Sequence, residues 1–140
     1  MARILAIDYG TKRTGLAVTD PLQIIATGLD TVATDELLPY LQRYFAQEEV
    51  ERVVLGEPLH LDGHPTALVP LIRKFAQQLQ KLYPTLTIVY QDERFTSEMA
   101  KEAIRQSGAR QKKRRDKGLI DKMAATLILQ EYLEAYKYQS

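Results

Sequence analysis

Residues 3–18 read Arg-Ile-Leu-Ala-Ile-Asp-Tyr-Gly-Thr-Lys-Arg-Thr-Gly-Leu-Ala-Val, and the fold is decided here. An apolar run from Ile4 to Ile7 has the branched side chains that suit a buried strand. It stops on the carboxylate Asp8. After Gly10, Thr11, Lys12, Arg13 and Gly15 a second apolar run opens at Leu16. Two strands joined by five or six turn-forming residues, with Gly at two of them, predict a β-hairpin. A hairpin tip has a use for glycine and polar residues, but none for an acid as the last residue of a core strand. An ionised carboxylate there is costly unless a cation, a metal or a hydrogen-bond donor meets it. Asp8 therefore needs a partner. The plainer alternative is a turn-capping Asp tied to backbone N–H groups.

Outward from the hairpin, residues 19–21 form a turn and residues 22–27 a third short strand, giving an antiparallel meander. Thr34-Asp35-Glu36 is a helix start, with a capping hydroxyl followed by acids at the positive end of the dipole. Pro39 sits deep for a first turn and moves the start later. That helix runs to about residue 49. Residues 52–56 are a fourth strand, apolar enough to be buried on both faces. A loop over 57–65 leads to a helix with Leu68, Leu71, Ile72, Phe75, Ala76, Leu79 and Leu82 on one face, ending before Pro84. Residues 85–91 are the fifth strand. A third helix is capped by Thr96 or Ser97 and reaches about residue 106. The last helix covers 119–136, with Ile120, Met123, Ala124, Leu127 and Ile128 as its apolar stripe. The order βββαβαβαα predicts an α/β fold: a mixed five-stranded sheet with helices on both faces.

One hundred and forty residues suit a single domain, 1–140, with no interdomain linker. With 45% hydrophobic and 26% charged residues the composition is that of an ordinary globular protein. The absence of cysteine removes disulfides, thiolate metal sites and cysteine nucleophiles. Two histidines, His60 and His64, are too few for a structural zinc site and receive no role. Met1 leads straight into the first strand and no apolar run approaches membrane-spanning length, so the expectation is a cytosolic protein with no membrane partner. The formal charge is +1, but residues 110–117 hold six basic side chains and one acid, a local +5 that leaves the other residues at −4. A mildly acidic body carries one concentrated basic segment.

In a mixed sheet, sites gather beyond the carboxyl ends of the parallel strands. Strands one, four and five end on Asp8, Gly56-Glu57 and Asp92-Glu93, so all three bring acids to that edge. The last helix adds Asp121, which would otherwise be a first-turn acid favoured by the helix dipole. If that helix crosses the strand ends, Asp8, Glu93 and Asp121 converge. Three acids with no Lys or His among them repel, and divalent cations relieve the repulsion. Oxygen-only ligands favour Mg2+ or Mn2+ over zinc. Two such ions about 4 Å apart activate water and stabilise a leaving oxygen in phosphodiester hydrolysis. Glu57 is either a fourth ligand, solvent-facing, or a partner of Arg13 or Arg94. Of Asp92 and Glu93 only one can aim into the site from a regular strand, and Glu93 is the choice.

At these residues the chain resembles the YqgF (RuvX) proteins, relatives of Holliday-junction resolvases in the RNase H-like superfamily that are regarded as pre-16S rRNA nucleases. The resemblance covers nearly the whole chain. Asp8, Gly10, Arg13, Gly15 and Ala17 meet the first motif, Asp-x-Gly-x-x-Arg-x-Gly-x-Ala. Gly56, Pro58, Leu59, Asp62 and Gly63 meet the middle one, with Glu57 in place of its leucine. Asp92-Glu93-Arg94 and Asp121 with Ala124-Ala125 complete the set. The resemblance implies an RNase H-like fold and Asp8, Glu93 and Asp121 as catalytic acids. It also implies pre-rRNA or branched DNA as substrate, with ribosomal precursor particles as possible company.

The cations suit such a substrate. Lys12 and Arg13 at the hairpin tip, and Arg94, either hold a phosphate or are solvated or charge-balancing groups. Arg110, Lys112, Lys113, Arg114, Arg115 and Lys117 would neutralise a nucleic-acid backbone, and no aromatic is interleaved for stacking. Tyr9, Tyr132, Tyr136 and Tyr138 are expected to pack or lie on the surface. Two other classes compete. A non-catalytic nucleic-acid-binding module would bind without metal dependence. An actin-like ATPase also starts from Asp-x-Gly at a hairpin, but needs two lobes that this length cannot hold. The sequence is consistent with a monomer or a weak homodimer.

Overall fold

Branched and apolar residues at 4–7, 16–18 and 53–55 build the middle of one sheet. The computed structural model describes residues 2–58, 62–92 and 117–139, without the side chains of 117 and 136–139. Strands β1 (Arg3–Asp8), β2 (Arg13–Thr19), β3 (Ala26–Ala33), β4 (Val50–Glu57) and β5 (Thr87–Asp92) lie in the order β3-β2-β1-β4-β5. β1–β2 and β2–β3 are antiparallel, whereas β1–β4 and β4–β5 are parallel. This is the mixed five-stranded α/β sheet expected, consistent with an RNase H-like fold.

Helices α1 (Leu37–Gln47) and α2 (Val69–Leu82) cover one face, and α3 (Lys117–Gln139) covers the other. Strand alternation sorts the side chains between them. Leu5, Ile7, Leu16, Val53 and Leu55 meet Leu37, Leu41, Ile72, Phe75 and Leu79 in one core. Ile4, Ala6, Ala17 and Val54 meet Ala125, Ile128, Leu129 and Leu133 in the other. Among the described residues no helix is long and apolar enough to cross a membrane.

Several expectations shift. The third strand runs over Ala26–Ala33 rather than 22–27. Asp20 is the cause. Its carboxylate accepts the backbone N–H groups of Leu22, Ile24 and Ile25, and Gln23 turns left-handed at φ 59°, so residues 20–25 close into a turn. Leu22, Ile24 and Ile25 are left exposed. The hairpin connection is only residues 9–12, and Gly15 lies inside β2.

Helix α1 begins at Leu37, as Pro39 suggests, after a 3-10 turn over Thr34–Glu36, and Thr34 does not cap it. In α2, Leu71 and Leu82 point out to solvent instead of joining the core. Helix α3 is rotated from the expected stripe: Ala124, Ala125, Ile128, Leu129 and Leu133 are its buried residues, while Ile120, Met123 and Leu127 are half-buried. The expected helix over 96–106 lies outside the described residues.

Candidate functional site

Asp8 ends β1 with its direction set by the pleat. Ile4 and Ala6 belong to the core under α3, so Asp8, two residues on, belongs to that face. Tyr9 turns to the other side, where its ring lies 5.6 Å from that of Phe75 and packs on the α2 core. In the β1–β2 register Asp8 stands opposite Gly15, and directly opposed antiparallel residues have Cα atoms about 5 Å apart.

Gly15 is where α3 lands. A Cβ placed on it would lie 2.0 Å from the carbonyl oxygen of Asp121 and 2.4 Å from its carbon. Only a glycine lets the helix backbone come this near. Thr31, opposite Gly15 on β3, donates its hydroxyl to the Gly118 carbonyl at 2.5 Å and fixes the start of the helix. Asp121 is thus in phase with Ala125, Ile128 and Leu129, at helical offsets of four, seven and eight, and lies on the sheet side. The first turn of α3 carries no acid, so dipole stabilisation in a first turn does not account for it. Asp8 and Asp121 share one face and one corner, separated by the width of Gly15.

The hairpin tip beside them is held by Thr34, the residue expected to cap a helix. Thr34 donates its N–H to the Lys12 carbonyl at 2.9 Å and its hydroxyl to the Gly10 carbonyl at 2.6 Å. With that proton committed, the Thr14 hydroxyl donates to the Thr34 oxygen at 2.9 Å. The loop so held presents Arg13, whose Nε donates to Asp121 Oδ2 at 2.8 Å. Lys12 has no ion-pair partner among the described residues and is exposed. A cleft of about 700 Å3 opens here, lined by residues 10–13, Pro58, Thr66, Ala67, Leu68, Leu71 and Asp121, a size ordinary for binding sites. The Thr66 hydroxyl, on its wall, is buried with no hydrogen-bond partner among the described residues.

The donor chemistry fits a hard divalent cation. Two carboxylate residues share one face beside Gly15, Arg13 pairs with Asp121, and among the described residues no histidine or cysteine lines the cleft. Among the described residues no three His, Cys, Asp or Glu side chains form a group able to hold a metal. Glu93, the third acid of the expected cage, lies outside the described residues. So do Arg94, Arg110, Lys112, Lys113, Arg114, Arg115 and His60, together with the side chains of Lys117, Tyr136 and Tyr138.

Glu57 is corrected. It follows Val53 and Leu55 onto the α1–α2 face, away from Asp8, and accepts a hydrogen bond from Arg73 at 3.1 Å rather than from Arg13. Arg73 in turn stacks over Tyr90, with 4.0 Å to the ring centroid. Nothing in the spacing of residues 57 and 73 announces that pair. On β5, Val89 packs under α3 and Gln91 reaches Glu131, while Asp92 is exposed at the strand end. His64 pairs with Asp62 at 2.9 Å, both open to solvent. Tyr132 packs at the α3 core and accepts a hydrogen bond from Arg52.

A sequence profile of the RuvX family, described as Holliday junction resolvase, matches residues 2–135. The chain belongs to the RuvX family. Similar RuvX-like relatives include a protein of Porphyromonas gingivalis, 52% identical over 134 residues, covering 96% of this chain and 97% of its own. Another, from Christiangramia forsetii, is 51% identical over 95% of this chain and 98% of its own length. A third, from Flavobacterium johnsoniae, is 46% identical over 99% of this chain and its entire length. All three carry the provisional name pre-16S rRNA nuclease.

Proposed function

We propose that this RuvX protein is a nuclease that hydrolyses phosphodiester bonds of pre-16S rRNA in ribosome maturation, with Asp8, Glu93 and Asp121 as its catalytic acids. The observation that carries the proposal is the seating of Asp8 and Asp121 on one face of one strand edge, brought together by the absent side chain of Gly15. The names of the relatives supply the RNA.

Asp8, Asp121 and Glu93 would hold Mg2+ or Mn2+, which when bound would supply an activated water and stabilisation of the leaving oxygen. The chain's own groups do the rest. Thr34 keeps the tip rigid, so Arg13 can leave Asp121 and meet a substrate phosphate without reordering the loop. Lys12 and Arg94, with the basic residues at 110, 112, 113, 114, 115 and 117, neutralise neighbouring phosphates. The family description favours a second substrate, a four-way DNA junction, which calls for a two-fold dimer.

Wild type and Asp8→Asn, assayed on pre-16S rRNA and on a four-way junction with and without Mn2+, separate these readings. Cleavage of the RNA that requires the cation and disappears in Asp8→Asn is expected. Undiminished cleavage by Asp8→Asn, in a preparation free of host nucleases, would defeat the catalytic assignment. Tight binding without turnover would leave a nucleic-acid-binding module.

A further inference from the structure

Leu71 lines the acid-flanked cleft and also a second hollow of about 330 Å3 between the end of β1 and helices α1 and α2. Tyr9, Asp35, Leu38, Lys74 and Gln78 form much of its wall. Its apolar part comes from Leu71, 46% exposed, and from the Tyr9 ring, which is backed by Phe75. Residues 71, 74 and 78 follow each other at helical spacing along one side of α2. The side chains of Lys74, Gln78 and Asp35 have no hydrogen-bond or ion-pair partner among the described residues. An exposed leucine, an aromatic edge, one cation, one amide and one carboxylate border a single small hollow that shares Leu71 with the cleft.

We propose that this hollow is a subsite for one unpaired nucleotide of the substrate strand, on the α2 side of the hairpin tip from the phosphate placed at Asp8 and Asp121. The inference rests on the nuclease reading for where that phosphate lies. The base lies against Leu71 and Tyr9, which offer apolar surface indifferent to base identity. The Gln78 amide supplies both a donor and an acceptor to the base edge. Asp35 accepts from a base N–H and repels phosphate, whereas Lys74 attracts it, so the base enters and the backbone stays at the α2 rim. A paired base cannot occupy the hollow, because its faces are covered by its neighbours and its pairing edge is used. The substrate class is therefore nucleic acid that is single-stranded beside the bond to be cut.

The test compares two labelled probes of equal length and charge in EDTA: an oligoadenylate, and the same ribose-phosphate backbone without bases. Wild type is expected to prefer the oligoadenylate by about tenfold, the order of one stacked base. Leu71→Ser or Gln78→Ala should shrink that ratio. Both positions are exposed, so melting temperatures should stay near wild type. Lys74→Gln should weaken both probes alike and lower the log–log salt slope by about 0.7. A ratio of one in wild type, or a ratio unmoved in both Leu71→Ser and Gln78→Ala, overturns the subsite. Binding is read without turnover, so a protein that prefers bases but never cuts would overturn only the nuclease reading. One that cuts but shows no base preference would overturn only the subsite.

Discussion

At the scale of single residues, Arg13 and Asp121 carry the sharpest test. Their 2.8 Å pair is half open to water, with side-chain exposures of 42% and 21%. Such pairs contribute about 0–1 kcal/mol to stability, so a purely structural role would leave little trace when one partner is removed. Arg13→Gln is therefore expected to shift the melting temperature barely. Yet it should lower cleavage by about tenfold or more, since a charge-assisted phosphate contact is lost. It should also tighten Mn2+ binding in the substrate-free protein, because the guanidinium no longer competes for the Asp121 carboxylate. Calorimetric titration with Mn2+ reads that directly, and an unchanged affinity would argue against a cation at Asp121. Asp8 was legible because a charge ending a core strand has few explanations. Thr34 was not, since a threonine before Asp-Glu reads as a helix cap whether or not its hydroxyl reaches sideways to Gly10.

At the scale of elements, the site depends on how α3 lies on the sheet, and two glycines set that distance. Added methyls would meet different obstacles. At Gly15 the neighbour is the Asp121 backbone at 2.0 Å, which can yield only if the helix moves. At Gly28 it is the Lys122 side chain, 2.8 Å to Cγ and 3.1 Å to Cδ, with the Thr126 hydroxyl at 3.3 Å, so side chains rather than the helix backbone must shift. Gly15→Ala should thus cost about 1–3 kcal/mol as overpacking does and depress activity further by displacing Asp121, while Gly28→Ala should cost less and leave activity closer to wild type. Thermal melts and cleavage rates of the two variants check the order, and equal effects would mean that α3 is free to shift. The succession of strands along the chain and the meander could be read from apolar runs and turn residues. The rotation of α3 could not, because its apolar residues spread around much of its circumference and the glycines that choose its face sit about a hundred residues away. The third strand was displaced for a similar reason: Leu22, Ile24 and Ile25 look like a strand until the Asp20 carboxylate gathers their N–H groups.

At the scale of the whole molecule, the pH dependence of stability follows from groups far from the cleft. Burial first, then the nearby Asp30 charge, pushes the Tyr40 hydroxyl from 10.0 up to about 12. The folded state holds that proton more tightly than the unfolded one, so the contribution is complete below pH 10 and is lost as pH rises towards 12. Glu131, on α3, has the same sign. Burial first, then the charges of Asp92 and Glu134, raise its carboxyl above the ordinary 4.5, against a hydrogen bond with Gln91. Its contribution is present below 4.5 and is lost as pH rises through the elevated value, so at neutral pH the ionised carboxylate is a liability. Asp20 runs the other way. The Ile25 N–H, the largest cause, with those of Ile24 and Leu22, outweighs burial and holds its carboxyl below 3.8, so its contribution is present above that value and fades in acid. Glu131→Gln should therefore raise the melting temperature at neutral pH and lose that advantage below pH 4.5, where the wild-type carboxyl is itself neutral. Melting curves of the two proteins across that range give the answer, and a gain that persisted unchanged into acid would assign the effect to packing of the amide rather than to the charge.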